Sequence, residues 1–214
     1  MLDLYVITDS ALAGGKPDSE IARLAYEGGA EAVQLRMKNA SSAAMLQQAI
    51  EIQKLAEDLN KIFIVNDRVD IAFASEADGV HLGQDDLPLS YARKILGYDY
   101  IIGKSVSNSK EAVMAYEEGA DYIALGPIFN TSTKTDAGTG IGLDALIEVR
   151  EAVPDIPLVA IGGINLGNIK DVIDTGADSV AVISAVVAKN DIKKAVHELR
   201  DVILKTRPHI GEGD

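Results

Sequence analysis

The sequence predicts a single-domain α/β protein, a (β/α)8 TIM barrel. Three observations carry this. Eight short apolar runs alternate with segments of helical spacing along the 214-residue chain. A weak internal repeat precedes every second run: Gly29-Ala30-Glu31-Ala32-Val33, Glu76-Ala77-Asp78-Gly79-Val80, Gly119-Ala120-Asp121-Tyr122-Ile123 and Gly176-Ala177-Asp178-Ser179-Val180. Each is a helix end, a small residue, an acid and then a strand, as if a unit of two βα pairs were used four times. The length also sits at the compact end, about 200–250 residues, of that fold's range. An open doubly wound sheet is the alternative for alternating β and α. The repeat reaches the eighth run without a break in composition, which favours the closed barrel.

The first run, residues 5–7, begins almost at once, and Met1-Leu2-Asp3 lacks the basic region of a signal peptide. Asp18 marks a helix N-cap or its neighbour. The second run, 33–35, continues into Arg36-Met37-Lys38. Alternate strand residues share a face, so Gln34, Arg36 and Lys38 point one way and Val33, Leu35 and Met37 the other. Residues 41–59 read as a helix whose apolar stripe is Met45, Leu46, Ala49, Ile52, Leu55, Ala56 and Leu59. Runs 63–65 and 80–82 end in Asn66-Asp67 and Gly83-Gln84-Asp85-Asp86. Run 101–102 leads to Lys104-Ser105, and Ser109 marks the next helix start. Run 123–125 opens a long irregular segment, 130–142, before a helix near Leu143. Runs 159–161 and 180–183 end in Gly162-Gly163 and Ser184-Ala185. Gly97, Gly119 and Gly176 are helix stops. The barrel is expected over residues 1–206, one helix after each strand, with 207–214 a frayed tail.

Composition narrows the functions. Lys and Arg total 20 against 33 Asp and Glu, a formal net charge of -13, which makes nucleic acid and anionic lipid poor partners. The chain has no cysteine, so disulfides, thiolate metal sites and a cysteine nucleophile are excluded. No apolar run approaches the roughly 20 residues that span a bilayer. A cytoplasmic protein is expected, and a homo-oligomer is compatible with everything above.

In such barrels the active site lies at the C-terminal strand ends, where every polar cluster falls. Gln34, Arg36 and Lys38 on one strand face suit phosphate: Arg supplies a planar fork and Lys a mobile charge. The bland reading is a salt bridge across the barrel. Asn66-Asp67 and Asp85-Asp86, on neighbouring strand ends, suit a shared Mg²⁺ completed by water and substrate phosphate; a helix cap is the ordinary role of such an Asp, and either Asp85 or Asp86 could fill it. His81 reads as an interior, hydrogen-bonded histidine rather than a catalyst. Ser105 alone is a weak signal for phosphate or a polar ring. Thr131, Thr133 and Lys134, in a segment with Gly138, Gly140 and Gly142, suit a loop closing over an anion; a solvated polar loop is the alternative. Those glycines lack the spacing of a dinucleotide fingerprint. Gly162-Gly163 and Ile183-Ser184-Ala185 occupy the usual phosphate position of these barrels. Together they describe two anion sites, one suited to a pyrophosphate with metal, the other to a monophosphate.

These stretches, in this order, resemble the thiamine phosphate synthase family. The match covers Gln34-Leu35-Arg36-Met37-Lys38, Asn66-Asp67, Gly79 to Asp86, Gly103-Lys104-Ser105, Gly126 to Lys134, Ala160 to Ile164 and Val182 to Ala185. The resemblance implies condensation of aminohydroxymethylpyrimidine pyrophosphate with hydroxyethylthiazole phosphate, giving thiamine phosphate and pyrophosphate. By position, Gln34, Leu35, Arg36, Met37, Lys38 and Asn66, with Ser105 and Lys134, would meet the pyrimidine pyrophosphate. Thr131, Ser132, Thr133, Gly163, Ile183 and Ser184 would meet the thiazole phosphate, and Asp67 and Asp86 would hold Mg²⁺. Arg36, Lys38, Ser105 and Lys134 would carry the catalysis. The implied mechanism is dissociative, with a carbocation stabilised by the pyrimidine ring. Met37 stands where the family often has an acid, and by parity it faces the helices. Asn130 replaces a frequent proline, which should loosen the loop. The related thiazole tautomerase, a non-catalytic thiamine phosphate binder and a sugar-phosphate isomerase are the rival readings. The filled Asp positions, Lys134 and the absence of an acid–base pair better placed than Asp67 and Asp86 weigh against them.

Overall fold

A computed structural model describes residues 3–131, 133 and 138–207. Eight parallel strands close into a barrel in chain order, the first pairing with the last. They are β1 (Leu4–Ile7), β2 (Ala32–Leu35), β3 (Ile62–Asn66), β4 (Gly79–Leu82), β5 (Ile101–Val106), β6 (Tyr122–Leu125), β7 (Leu158–Ile161) and β8 (Ser179–Val182). The helices outside are α1 (Asp18–Gly28), α2 (Ser42–Leu59), α3 (Val69–Ala74), α4 (Leu89–Leu96), α5 (Ser109–Glu117), α6 (Asp144–Ala152), α7 (Ile169–Asp174), α8 (Ser184–Val187) and α9 (Ile192–Thr206). None of the described helices is long and apolar enough to cross a membrane.

Two apolar layers follow from strand parity. Leu4, Val6, Val33, Leu35, Phe63, Val65, Val80 and Leu82 face outward and pack under the helices. Tyr5, Ile7, Ala32, Ile64, Tyr122, Ala124, Val159 and Ala181 fill the barrel interior. Both faces are buried, so the strands read as continuous apolar runs. Burying them is the main stabilising term, at roughly 25 cal/mol per Å² of apolar surface removed from water.

The fourfold repeat has a physical role that the sequence did not reveal. Each of its acids accepts the backbone N–H at the start of the preceding odd strand. Asp78 Oδ2 takes Phe63 N at 2.7 Å, Asp121 Oδ2 takes Ile102 N at 2.7 Å, and Asp178 Oδ2 takes Leu158 N at 2.8 Å. Glu31 takes Asp3 N in the same way. These carboxylates satisfy backbone donors at the bottom rim and lock neighbouring strands in register. The strand residue after Asp78 matters too. A Cβ on Gly79 would lie 2.0 Å from the Ile101 carbonyl oxygen. Gly79→Ala is therefore expected to destabilise the protein by about 3 kcal/mol, read as a lower urea midpoint with unchanged slope.

Three expectations need correction. Leu59 was expected in the buried stripe of the second helix but is 47% exposed, because the buried stripe of α2 ends at Ala56, one turn before the helix does. β8 ends at Val182, so Ile183 caps the start of the next helix rather than ending a strand. One helix per strand was expected, yet two follow β8, with the short α8 preceding α9. Residues 208–214, most of the expected tail, lie outside the described residues.

Candidate active site

The first half of the mouth is built on β1 to β4. Gln34 points into the barrel and Arg36 and Lys38 follow beyond the end of β2, as strand parity requires. Thr8 Oγ1 accepts Arg36 N at 3.2 Å, and Asp9 Oδ2 lies 3.4 Å from Arg36 Nη1. Sequence reasoning missed Thr8 and Asp9, although the first run also ends in polar residues. Leu35, expected among the binding residues, is fully buried in the helix-facing layer, and Met37 packs against that layer. Parity turns both side chains away from the interior.

Asp67 follows β3 in the left-handed region, φ 65, which Asp tolerates better than most residues. Its backbone N–H reaches the His81 carbonyl at 2.9 Å, fixing the turn. Asp86 is held by the local turn after β4, its Oδ2 accepting Gly83 N at 2.6 Å. The two carboxyls are close enough to perturb each other's ionisation. Burial, followed by the neighbouring Asp86, raises the Asp67 carboxyl to about 6, while Lys38 and Asn66 pull the other way. Two acids set this close disfavour full ionisation of both. That is the donor set of a hard divalent ion, and one or two protein carboxylates suffice for Mg²⁺ when substrate phosphate and water complete the shell. Among the described residues no group of three or more His, Asp or Glu gathers for an all-protein metal cage. Met37, Lys38, Asn66, Asp67 and Arg68 line one recess of about 160 Å³ beside this pair. Asp85 turns instead to the main cavity.

That cavity, about 350 Å³, lies over β5 to β8, and its wall includes Ser105, Ala124, Thr131, Thr133, Ile183 and Ser184. Gly162 and Gly163 both take positive φ, 101 and 68. A Cβ on Gly163 would lie 2.7 Å from Phe129 Cβ, so only glycine admits this close pass. Thr133 Oγ1 donates to Ser184 Oγ at 3.2 Å, and Thr133 N donates to Thr131 Oγ1 at 3.2 Å. The loop hydroxyls and the start of α8 therefore converge, and first-turn amides of a helix lack intrahelical partners. Asn130 was expected to loosen the loop. Its Oδ1 instead accepts Gly140 N at 2.8 Å, tying the two ends of the loop together. Ser132 and Lys134 fall outside the described residues.

A parallel barrel with cations and paired carboxyls on one side of its mouth, and a glycine- and hydroxyl-lined cavity on the other, is a phosphate-handling barrel enzyme. Comparison with known proteins makes this specific. The model of a family described as thiamine monophosphate synthase matches residues 4–186, and the chain belongs to that family. It is 50% identical to the thiamine-phosphate synthase of Methanoregula boonei over 99% of this chain and 97% of that one. It is 47% identical to the thiamine-phosphate synthase of Chloroflexus aurantiacus, over 95% and 94% of the two chains. A solved thiamine phosphate pyrophosphorylase from Pyrococcus furiosus superposes with a TM-score of 0.89 at 45% identity, covering 96% of each chain.

Proposed function

We propose that the protein joins an aminopyrimidine methyl pyrophosphate to a thiazole phosphate, releasing pyrophosphate and thiamine phosphate. It is a thiamine phosphate synthase, a transferase. The observation that carries this reading is the pairing of Asp67 with Asp86 beside Lys38, at a mouth that also holds the cavity lined by Gly162 and Ser184.

The roles follow from the chemistry. Breaking the pyrimidine methylene–oxygen bond leaves both electrons on pyrophosphate and a cation delocalised into the pyrimidine ring. The thiazole nitrogen then donates its lone pair to that methylene. No strong base is required, because no proton leaves carbon. The demand is to hold the departing charge, which the cations Arg36 and Lys38 meet at the mouth of the barrel. The family resemblance assigns Lys134 the same task. Asp67 and Asp86 would hold Mg²⁺, which supplies further neutralisation of the pyrophosphate when bound. Gln34, Asn66 and Ser105 orient the pyrimidine pyrophosphate. Thr131, Ser132, Thr133, Gly163, Ile183 and Ser184 hold the thiazole phosphate through hydroxyls and backbone amides. The acidic, cysteine-free chain fits a cytoplasmic setting with small-molecule partners, and a homo-oligomer is compatible with the barrel.

The test is product formation from the two purified substrates, with Mg²⁺ and with EDTA. Metal-dependent thiamine phosphate formation is expected. Well-folded protein that makes none with Mg²⁺ present would refute the assignment.

A further inference from the structure

A chain of polar groups crosses the barrel interior, and its middle members, Tyr5, Tyr122 and His81, have no part in the chemistry above. Gln34 Nε2 donates to the Tyr5 hydroxyl at 2.7 Å, and the Tyr5 and Tyr122 hydroxyls are 3.1 Å apart. The Tyr122 hydroxyl lies 2.9 Å from His81 Nδ1, and His81 Nε2 lies 2.9 Å from Ser105 Oγ. The chain thus runs from β2 to β5 and ends at the cavity wall. Packing holds it straight. The imidazole stacks on the Tyr122 ring with centroids 5.5 Å apart, and Tyr5 meets Tyr122 edge-on at 6.2 Å. Gly103 leaves the room: a Cβ there would lie 2.0 Å from Tyr122 Cζ.

Proton counting gives the chain a direction. Burial pushes both phenols well above their usual range, so each keeps its one proton. Tyr5 accepts from Gln34 and sends its own proton to Tyr122. Tyr122 in turn sends its proton to His81 Nδ1. A neutral imidazole then carries its hydrogen on Nε2 and donates to Ser105 Oγ. Ser105, having accepted, turns its own hydrogen to the cavity.

We propose that Tyr5, Tyr122 and His81 are positioning residues, a one-way hydrogen-bond chain from Gln34 that sets Ser105 as a donor toward the ligand. The ligand atom it meets is a ring nitrogen with a free lone pair, as in an aminopyrimidine, in preference to a ring N–H. That identification rests on the proposed function; the direction of the chain does not.

The first test needs no turnover. Protein with ¹⁵N-labelled histidine is observed by long-range nitrogen–proton correlation at about pH 8, above the ordinary imidazole range, with His81→Gln assigning the signals. His81 is expected as the Nε2–H tautomer. Gln34→Glu offers only acceptors, so the chain should reverse and His81 should become Nδ1–H. Adding Tyr122→Phe should abolish that response. Should Gln34→Glu fail to fold, Tyr5→Phe replaces it, and mixed tautomers are expected. An Nδ1–H wild type, or a tautomer indifferent to these changes, overturns the proposal. The second test is kinetic. Tyr122→Phe should raise the KM for the pyrimidine pyrophosphate on the order of tenfold, with the KM for thiazole phosphate and the Tm unchanged. Equal rises in both KM values, tracking a loss of Tm, would reduce these residues to packing and overturn it as well.

Discussion

Arg36→Ala should lower kcat/KM for the pyrimidine pyrophosphate by about a thousandfold, with the melting temperature and the KM for thiazole phosphate little changed. Arg36 stands just beyond β2, its backbone N–H on Thr8 Oγ1 and its guanidinium 3.4 Å from Asp9. An ion pair that long is weak, and both side chains are 16% exposed. A phosphate displaces such a carboxylate readily, since the fork of Arg matches two of its oxygens. The leaving group gains charge only as the carbon–oxygen bond breaks, so the loss should fall on kcat as well as KM. Arg36→Lys should recover part of the rate, because charge remains while the two-pronged geometry is lost. Steady-state kinetics of both variants decide it. A loss below about tenfold for the alanine variant would remove Arg36 from the pyrophosphate site, since removing one such donor usually costs more.

Asp67→Asn should weaken Mg²⁺ binding by more than about tenfold, and abolish a pH effect in the metal-free protein. Burial and the adjacent Asp86 raise the Asp67 carboxyl from 3.8 to about 6. A raised folded-state value stabilises the fold fully below 3.8, and that contribution is lost as pH climbs to about 6. Wild-type stability without metal should therefore fall across that window, while the asparagine variant, neutral throughout, should not. Above pH 6 the variant should melt a few degrees higher, about the shift expected from 1 kcal/mol or less in a chain this size. Metal binding needs the proton gone, so Mg²⁺ affinity in the wild type should rise with pH through the same range. Titration calorimetry and thermal melts between pH 4 and 8 would read both. An affinity flat in pH would dissociate this pair from the metal.

How much of this was legible beforehand follows the range of the interactions. Strand parity placed Gln34 inside and Met37 outside, because period two survives any tertiary context. The turn after β4 that holds Asp86 is local, and its Gly83 and Asp86 were visible together. The acids of the repeat were visible as a pattern, but not as caps, because each serves a strand far back in the chain. Tyr5 and Tyr122 looked like ordinary apolar members of their runs. Nothing in spacing joins residues 117 positions apart; only barrel closure does. The partner of Asn130 was hidden for a related reason: it is Gly140, 10 positions on, and no spacing rule pairs the two.

Closure by β1 on β8 also bears on how the chain is made. A ribosome delivers β1 first and β8 nearly last, so the first strand leaves the exit tunnel with one edge bare and waits for most of synthesis to end. The partial sheet is therefore the species most open to mispairing and to proteases, and the final segment acts as the latch. Arg207, at the end of α9, completes it by reaching Asp3 and the Asp178 carbonyl. Truncation just before α9 should consequently cost far more than the surface it deletes, because it leaves the seam between first and last strands unfastened.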